Sequence, residues 1–241
     1  GLGPATMIND APLFFSAAQT GGTPWEPKNY GGGFDGPMTM RTALQKSRNL
    51  VSIRILAHIG THYAQDYITR FGFDAERHPA YLPMALGAGL VTPLQMAGAY
   101  SVFANGGYRV NPYLIAEVTD PQGIVLARAQ PIVAEQNAPR AVNEANAYIM
   151  NSLLQSVAQR GTGAKSNQLG RKDLGGKTGT TNESRDAWFA GYQHTLAAIA
   201  WVGYDSPRSL GDRETGGGVA LPIWMDYMRE ALKGVPPYEM P

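Results

Sequence analysis

Gly175-Gly-Lys-Thr-Gly-Thr-Thr181, with Asp186-Ala-Trp-Phe-Ala-Gly-Tyr192 and Leu196-Ala-Ala-Ile-Ala-Trp-Val202 downstream of it, is the stretch on which the fold turns. Gly-Lys-Thr also closes the phosphate loop Gly-x-x-x-x-Gly-Lys-Thr, but that motif needs glycine at 171, where Arg171 stands, and it must open a helix. The downstream residues are instead aromatic and β-branched, with an interruption near Gln193-His-Thr195, which predicts two strands. Lys177, Thr178 and Gly179 then put a cation, a hydroxyl and a side-chain-free residue side by side. A carboxylate can lie flat against the backbone beside Gly179.

Working outward, residues 1 to 38 carry many Gly and Pro, including Gly21-Gly-Thr-Pro-Trp-Glu-Pro27 and Gly31-Gly-Gly-Phe-Asp-Gly-Pro37. They predict loop, packed through Trp25, Tyr30 and Phe34. Met40, Ala43, Leu44, Val51 and Ile55 recur at helical spacing from Thr39 to His58, with Gly60 as a stop. Thr92-Pro-Leu-Gln95 places a cap, a first-turn proline and a capping-box glutamine ahead of Met96, Ala97, Tyr100 and Phe103, and Asn105-Gly-Gly107 closes that helix. Tyr113–Thr119 and Ile124–Ala127 flank the turn Asp120-Pro-Gln-Gly123 and predict a hairpin. Amphipathic helices are expected around Ile149–Val157 and Ile223–Leu232, the last stopped by Gly234 and Pro236. Runs of helix before a run of strands predict an α+β fold rather than a βαβ alternation.

The chain has 241 residues, 44% hydrophobic and 16% charged, enough for one large core or two small ones. A formal net charge of +1 gives no global field toward nucleic acid or an acidic membrane. Cysteine is absent, so disulfides and thiolate metal sites are excluded. His58 and His62 have the spacing of helical zinc ligands, but Gly60 lies between them and no glutamate follows His58, so no metal is expected. No run of about 18 apolar residues occurs and the first residues lack the regions of a signal peptide.

About 130 residues before Lys177 stands Ser47-Arg48-Asn49. Lys-Thr-Gly and Ser-x-Asn are elements of serine acyltransferases that open β-lactams and cleave D-Ala-D-Ala peptides. The wording at Ala43–Ser52, Val91–Gly107, Gly176–Tyr192 and Thr215–Trp224 resembles the transpeptidase domain of class A (bifunctional) penicillin-binding proteins, from about Pro4 to Leu232. That family implies an α+β fold: a mostly antiparallel sheet flanked by helices, plus an all-helical lobe, with the site between them. Lys-Thr-Gly would lie on an edge strand and Ser-x-Asn at a helix junction, which breaks the periodic run through Ser47. The break also gives Ser47 and Asn49 something to cap.

By resemblance, Ser47 is the proton relay between the catalytic lysine and the leaving amine, and Asn49 donates to the donor peptide's amide. Lys177 supplies charge to the relay and the substrate. Thr178 and Thr180 hold the terminal carboxylate beside Gly179, and the Thr180 N–H is half of an oxyanion hole. As an edge-strand residue Lys177 is expected to add little to folding. Strand alternation sets Thr178 and Thr180 on one side and Lys177 with Gly179 on the other, so the lysine must reach round or act through the strand twist.

The family's Ser-x-x-Lys is missing: Ser16 is followed three residues later by Gln19, Ser47 by Leu50 and Ser166 by Leu169. Residues 1–241 therefore read as one transpeptidase domain, incomplete at its N-terminus, with the nucleophile upstream of Gly1. Peptidoglycan stem peptides and β-lactams are the implied partners, with no cofactor and no nucleic acid. Membrane attachment would come only through parts of a parent protein outside this chain, at the periplasmic, extracytoplasmic face of an inner membrane. A D,D-carboxypeptidase and a non-catalytic penicillin-recognising sensor stay open as alternatives. Trp25, Trp188, Trp201 and Trp224 are expected in the core or the cleft wall, and Arg185 and Asp186 either pair locally or shape a turn beyond the site.

Overall fold

The computed structural model describes residues 1–240. In chain order the strands are β1 (Met7–Asp10), β2 (Gly36–Thr39), β3 (Glu117–Thr119), β4 (Val125–Arg128), β5 (Gly175–Thr180), β6 (Asp186–Gln193) and β7 (Leu196–Gly203). The α-helices are α1 (Ala17–Thr20), α2 (Met40–Gln45), α3 (Asn49–Ile59), α4 (Thr61–Ile68), α5 (Pro93–Ala104), α6 (Glu144–Arg160) and α7 (Leu221–Ala231). The α+β expectation holds, with the helices of the central region preceding the strands of the main sheet.

The main sheet is antiparallel in the order β5-β6-β7, so the strand carrying Lys-Thr-Gly lies at an edge. Its register pairs Thr178 with Phe189 and Thr180 with Ala187, while Lys177 pairs with Ala190 and Gly175 with Tyr192. Paired residues share a face, and the two faces meet different partners. On one, Phe189 meets Trp224 edge-on at 4.8 Å between centroids. There α7 buries Leu221, Trp224, Met225 and Met228, the i, i+3, i+4, i+7 stripe of an amphipathic helix. On the other face Tyr192 is fully buried against α6, its hydroxyl donating to Asn151 Oδ1 at 2.8 Å, beside Leu154 and Ala104. Burial pushes the Tyr192 phenol well above its ordinary value, so it stays a neutral donor.

Local signals fix the helix ends. Thr92 Oγ1 accepts from Gln95 N and Gln95 Oε1 from Thr92 N, the capping box the sequence predicts. Thr39 caps α2 and Asn143 caps α6. The run from Thr39 to His58 is two helices, α2 and α3, with Ser47 between them in the left-handed region at φ 54°. Gly60, at φ 94°, separates α3 from α4, and so puts His58 and His62 on different helices.

Three expectations need correction. The first hairpin strand begins at Glu117 rather than Tyr113, because its partner runs only to Arg128 and Pro131 lies just beyond, with no N–H to continue a ladder. No residue of β3 or β4 is buried. Trp25 does pack, stacked on Phe15, but Tyr30 and Phe34 are exposed: polar bonds and glycines hold that loop in place of aromatic burial. Neither Ser47 nor Asn49 caps a helix. Arg48 is at the N-cap of α3 with no side-chain cap bond, since both neighbouring side chains are turned to other partners.

Candidate active site

Between α2 and α3 the chain must turn within Lys46-Ser47-Arg48, and backbone bonds Ser47 N→Leu44 O and Arg48 N→Ala43 O close that turn. Ser47 thereby faces β5. Lys177 Nζ donates to Ser47 Oγ at 2.7 Å and to Thr178 O at 2.8 Å. The second bond explains how a residue on the opposite strand face reaches round: the lysine shares its face with Ala190 and Tyr192, and its ammonium folds back onto the carbonyl of its own strand. Burial lowers the Lys177 pKa from 10.5 to about 8, because no carboxylate approaches to offset the lost hydration. The expectation that Lys177 adds little to folding took it as an ordinary edge-strand residue, whereas its ammonium is desolvated in contact with Ser47.

Thr178 and Thr180 line the same cleft as Ser47 and Asn49, a space of about 870 Å³ that Trp25, Glu26 and Tyr30 also line. Thr178 Oγ1 shares a hydrogen bond with Thr162 Oγ1 at 2.6 Å. Thr180 Oγ1 accepts from Gly216 N at 3.0 Å, which leaves its own O–H proton free to donate into the cleft. Gly216 begins a single π-type turn, Gly216–Ala220, capped by Thr215. A Cβ at Gly216 would stand 2.3 Å from Trp188 O and 2.5 Å from Gly179 O, so only glycine permits this approach to the strand. Gly179 itself lies over Trp188 Cβ.

Asn49 Nδ2 donates to Lys28 O at 2.9 Å across the cleft wall, a bond that ties α3 to the loop after Trp25. Thus Ser47, Asn49, Thr178 and Thr180 meet around one cleft, with the Lys177 ammonium behind Ser47. Thr162 and the turn at Thr215–Gly217 belong to the same wall, and neither is assigned a role by sequence reasoning. Thr162 has only its place after the end of α6 in Arg160-Gly-Thr-Gly163 to mark it. The glycine run after Thr215 is a visible signal, but only the fold shows which wall it builds.

Arg185 pairs with Glu183, Nε to Oε2 at 3.0 Å, and not with Asp186, which accepts from Trp201 Nε1 at 2.8 Å. Each is held by another partner, so Arg185 and Asp186 do not pair with one another. Glu183 and Ser184, both on the cleft rim, are left-handed at φ 60° and 49°. Trp224 is core, Trp188 and Trp201 pack together at 5.9 Å, and Trp25 lines the cleft.

Gly-Lys-Thr lies within a strand and opens no helix, so it does not form a phosphate loop. The catalytic chemistry available is a cation in contact with a hydroxyl, opposite a wall of threonine donors. The described residues contain no cluster of His, Cys, Asp or Glu suited to a metal ion.

The family profile described as "Penicillin binding protein transpeptidase domain" matches residues 5–228. Penicillin-binding protein 1A of Neisseria lactamica is 50% identical over 236 residues, 98% of this chain and 30% of that protein. Its counterpart in Pseudomonas aeruginosa is 42% identical, covering all of this chain and 34% of that protein. The crystal structure of penicillin-binding protein 1A from Haemophilus influenzae superposes with a TM-score of 0.94 at 33% identity, over 100% of this chain and 41% of that one. The chain thus spans about a third of the length of the curated relatives it matches. With Lys-Thr-Gly on the edge strand β5 and Ser-x-Asn at the junction of α2 and α3, the chain belongs to the penicillin-binding protein transpeptidase domains, of the class A kind.

Proposed function

We propose that this domain is a serine-type D-Ala-D-Ala transpeptidase that cross-links peptidoglycan stem peptides through an acyl-enzyme and is inhibited by β-lactams. The observation that carries the reading is the 2.7 Å contact from Lys177 Nζ to Ser47 Oγ on a cleft whose other wall holds Thr178, Thr180 and Thr162. The nucleophile is not within this chain. An upstream segment carrying Ser-x-x-Lys supplies it, residues 1–241 forming the rest of one transpeptidase domain.

The serine oxygen of that segment attacks the penultimate D-Ala carbonyl. Its proton passes through the segment's lysine and Ser47 to the departing D-Ala nitrogen: the C–O bond forms first, giving a tetrahedral oxyanion, and collapse of that oxyanion breaks the C–N bond and releases D-Ala. Lys177 holds Ser47 Oγ as an acceptor and keeps positive charge near the substrate carboxylate, which the Thr180 and Thr178 hydroxyls receive beside Gly179. Asn49 donates to the donor peptide's amide. The Thr180 N–H stands at the developing oxyanion, where one such donor lowers a barrier by about 2.7–4 kcal/mol. An amine of a neighbouring stem peptide then takes the acyl group and regenerates the serine. The reaction belongs on the periplasmic, extracytoplasmic side of the membrane, to which parts of a parent protein outside this chain would attach it. No described helix is long and apolar enough to span a membrane.

The test is intact mass after incubation with a β-lactam. This chain alone should gain nothing, and the chain joined to its Ser-x-x-Lys segment should gain one adduct on the new serine. An adduct on Ser47 would make Ser47 the nucleophile and overturn the assignment. Stem-peptide substrate with an added amine acceptor separates the transferase from the hydrolytic carboxypeptidase and from a sensor without turnover, by cross-linked product, free acid or neither.

A further inference from the structure

Ser47 is a non-glycine residue in the left-handed region, φ 54°, a backbone state that persists only when its surroundings hold it. The turn's own bonds hold one side of it. On the other side, the middle residue of Ser-x-Asn, itself on the cleft wall, places its guanidinium in a built polar cluster. Asp10, at the end of β1, is fully buried. Its Oδ1 accepts from Asn29 Nδ2 at 2.8 Å and its Oδ2 from Asp35 N at 3.0 Å, while Arg48 Nε stands 3.6 Å from Oδ2. Arg48 Nη2 also pairs with Asp35, which Lys46 Nζ meets at 3.2 Å. These cations hold the Asp35 carboxyl below its usual range, Arg48 first. Asn29 is buried too; its Nδ2 bonds Gly33 O, and its Oδ1 takes Leu50 N, one of the unpaired first-turn donors of α3, at 3.4 Å. Gly31, Gly32 and Gly33 are all left-handed, which lets the loop fold back so that Asp35 N reaches Asp10.

We propose that Arg48 is a positioning residue: with Asp10 and Asp35 it straps the Ser47 turn in its left-handed state and so keeps Ser47 Oγ on Lys177 Nζ. The cluster joins β1, the glycine loop and the start of α3, and adds a polar tie beside the apolar packing of Ile8 on Val51 and Ile55. Arg48 itself does not touch the reacting atoms. Its Nε is buried without a hydrogen-bond partner, the mark of a guanidinium placed for charge over the carboxylates rather than for ideal donor geometry. The strap rests on the proposed role of Ser47 for its functional consequence, and on geometry alone for its structural one.

Two readouts keep those apart. In a crystal structure of this chain carrying Arg48→Met, Ser47 should leave the left-handed region and lose its contact with Lys177. If Ser47 and the Lys177 contact stay unchanged, the strap is refuted whatever the function. In the chain joined to its Ser-x-x-Lys segment, Arg48→Met should lower acylation by a fluorescent penicillin about tenfold. Arg48→Lys, which keeps one cation over Asp10, should recover most of that loss. Added to Ser47→Ala, Arg48→Met should cost less than about threefold more, because both changes remove one device. Losses that multiply would mean that Arg48 supports the fold and not Ser47, and would overturn the proposal. Should Ser47→Ala acylate at the unmodified rate, the relay reading falls, and the crystallographic arm alone decides the strap.

Discussion

Lys177→Met in this chain should make the protein more stable at neutral pH, and the gain should vanish in alkali. The folded ammonium has a pKa of about 8 against 10.5 when free, and at about 1.36 kcal/mol per pH unit that difference is about 3 kcal/mol. The residue as a whole is only half-buried, so ~2 kcal/mol is the working figure after allowing for hydration. Proton counts give the sign. Below pH 8 the lysine is charged both folded and unfolded, and the whole desolvation penalty weighs on the folded state. Between 8 and 10.5 the unfolded chain binds more protons, so stability rises with pH; above 10.5 both forms are neutral and the penalty is gone. Methionine carries no such penalty at any pH, and the bonds it forfeits to Ser47 and Thr178 O shift the difference by an amount that does not depend on pH while the lysine is charged. Urea unfolding of both proteins from about pH 6.5 to 10.5 isolates the lysine, since every other titrating group is common to the two. A stability difference that stays flat across this range would refute the argument, as would a variant whose stability relative to the parent rises with pH.

Acylation of the chain joined to its Ser-x-x-Lys segment should decline as pH rises through about 8, when Lys177 loses the charge it holds against Ser47, and Lys177→Met should flatten that limb of the profile. Gly216→Ala drives a Cβ into Trp188 O and Gly179 O, both backbone atoms, and should cost about 1–3 kcal/mol in urea unfolding; a neutral result would mean the π-type turn moves freely. Thr162→Val removes the hydroxyl that Thr178 shares while keeping its shape, so melting should change little while β-lactam acylation drops about tenfold, and an unchanged rate would exclude Thr162 from the carboxylate wall.

Features settled by neighbours in sequence could be read in advance. The capping box at Thr92 and Gln95, the break after Gln193 and the apolar stripe around Trp224 each depend on residues a few positions apart, and each is where the sequence puts it. The edge position of Lys-Thr-Gly comes from resemblance and agrees with the register. What escapes such reading depends on distance along the chain. Arg48 meets Asp10 across the whole glycine-rich loop and helix α2, and nothing local in either residue announces the pair. Thr162 becomes part of the cleft only because α6 ends opposite β5. The sequence assigns Lys177 to the site, but its burial beneath Ser47 follows only from a contact 130 residues apart in the chain. A period of two tells which side of a strand a side chain leaves from, and says nothing of where a long flexible one ends.

The β3–β4 hairpin has every residue outside the core, so it should open as a unit of its own. Its amides are held by one short ladder and should exchange with solvent through local opening, at a free energy far below that of the sheet under α7. A protease would therefore nick near Asp120–Gly123 first and leave the cleft assembled. Because the chain has no cysteine, one introduced at that tip would be a unique thiol, giving a handle for dyes or surfaces that reports on the whole domain without burdening its packing.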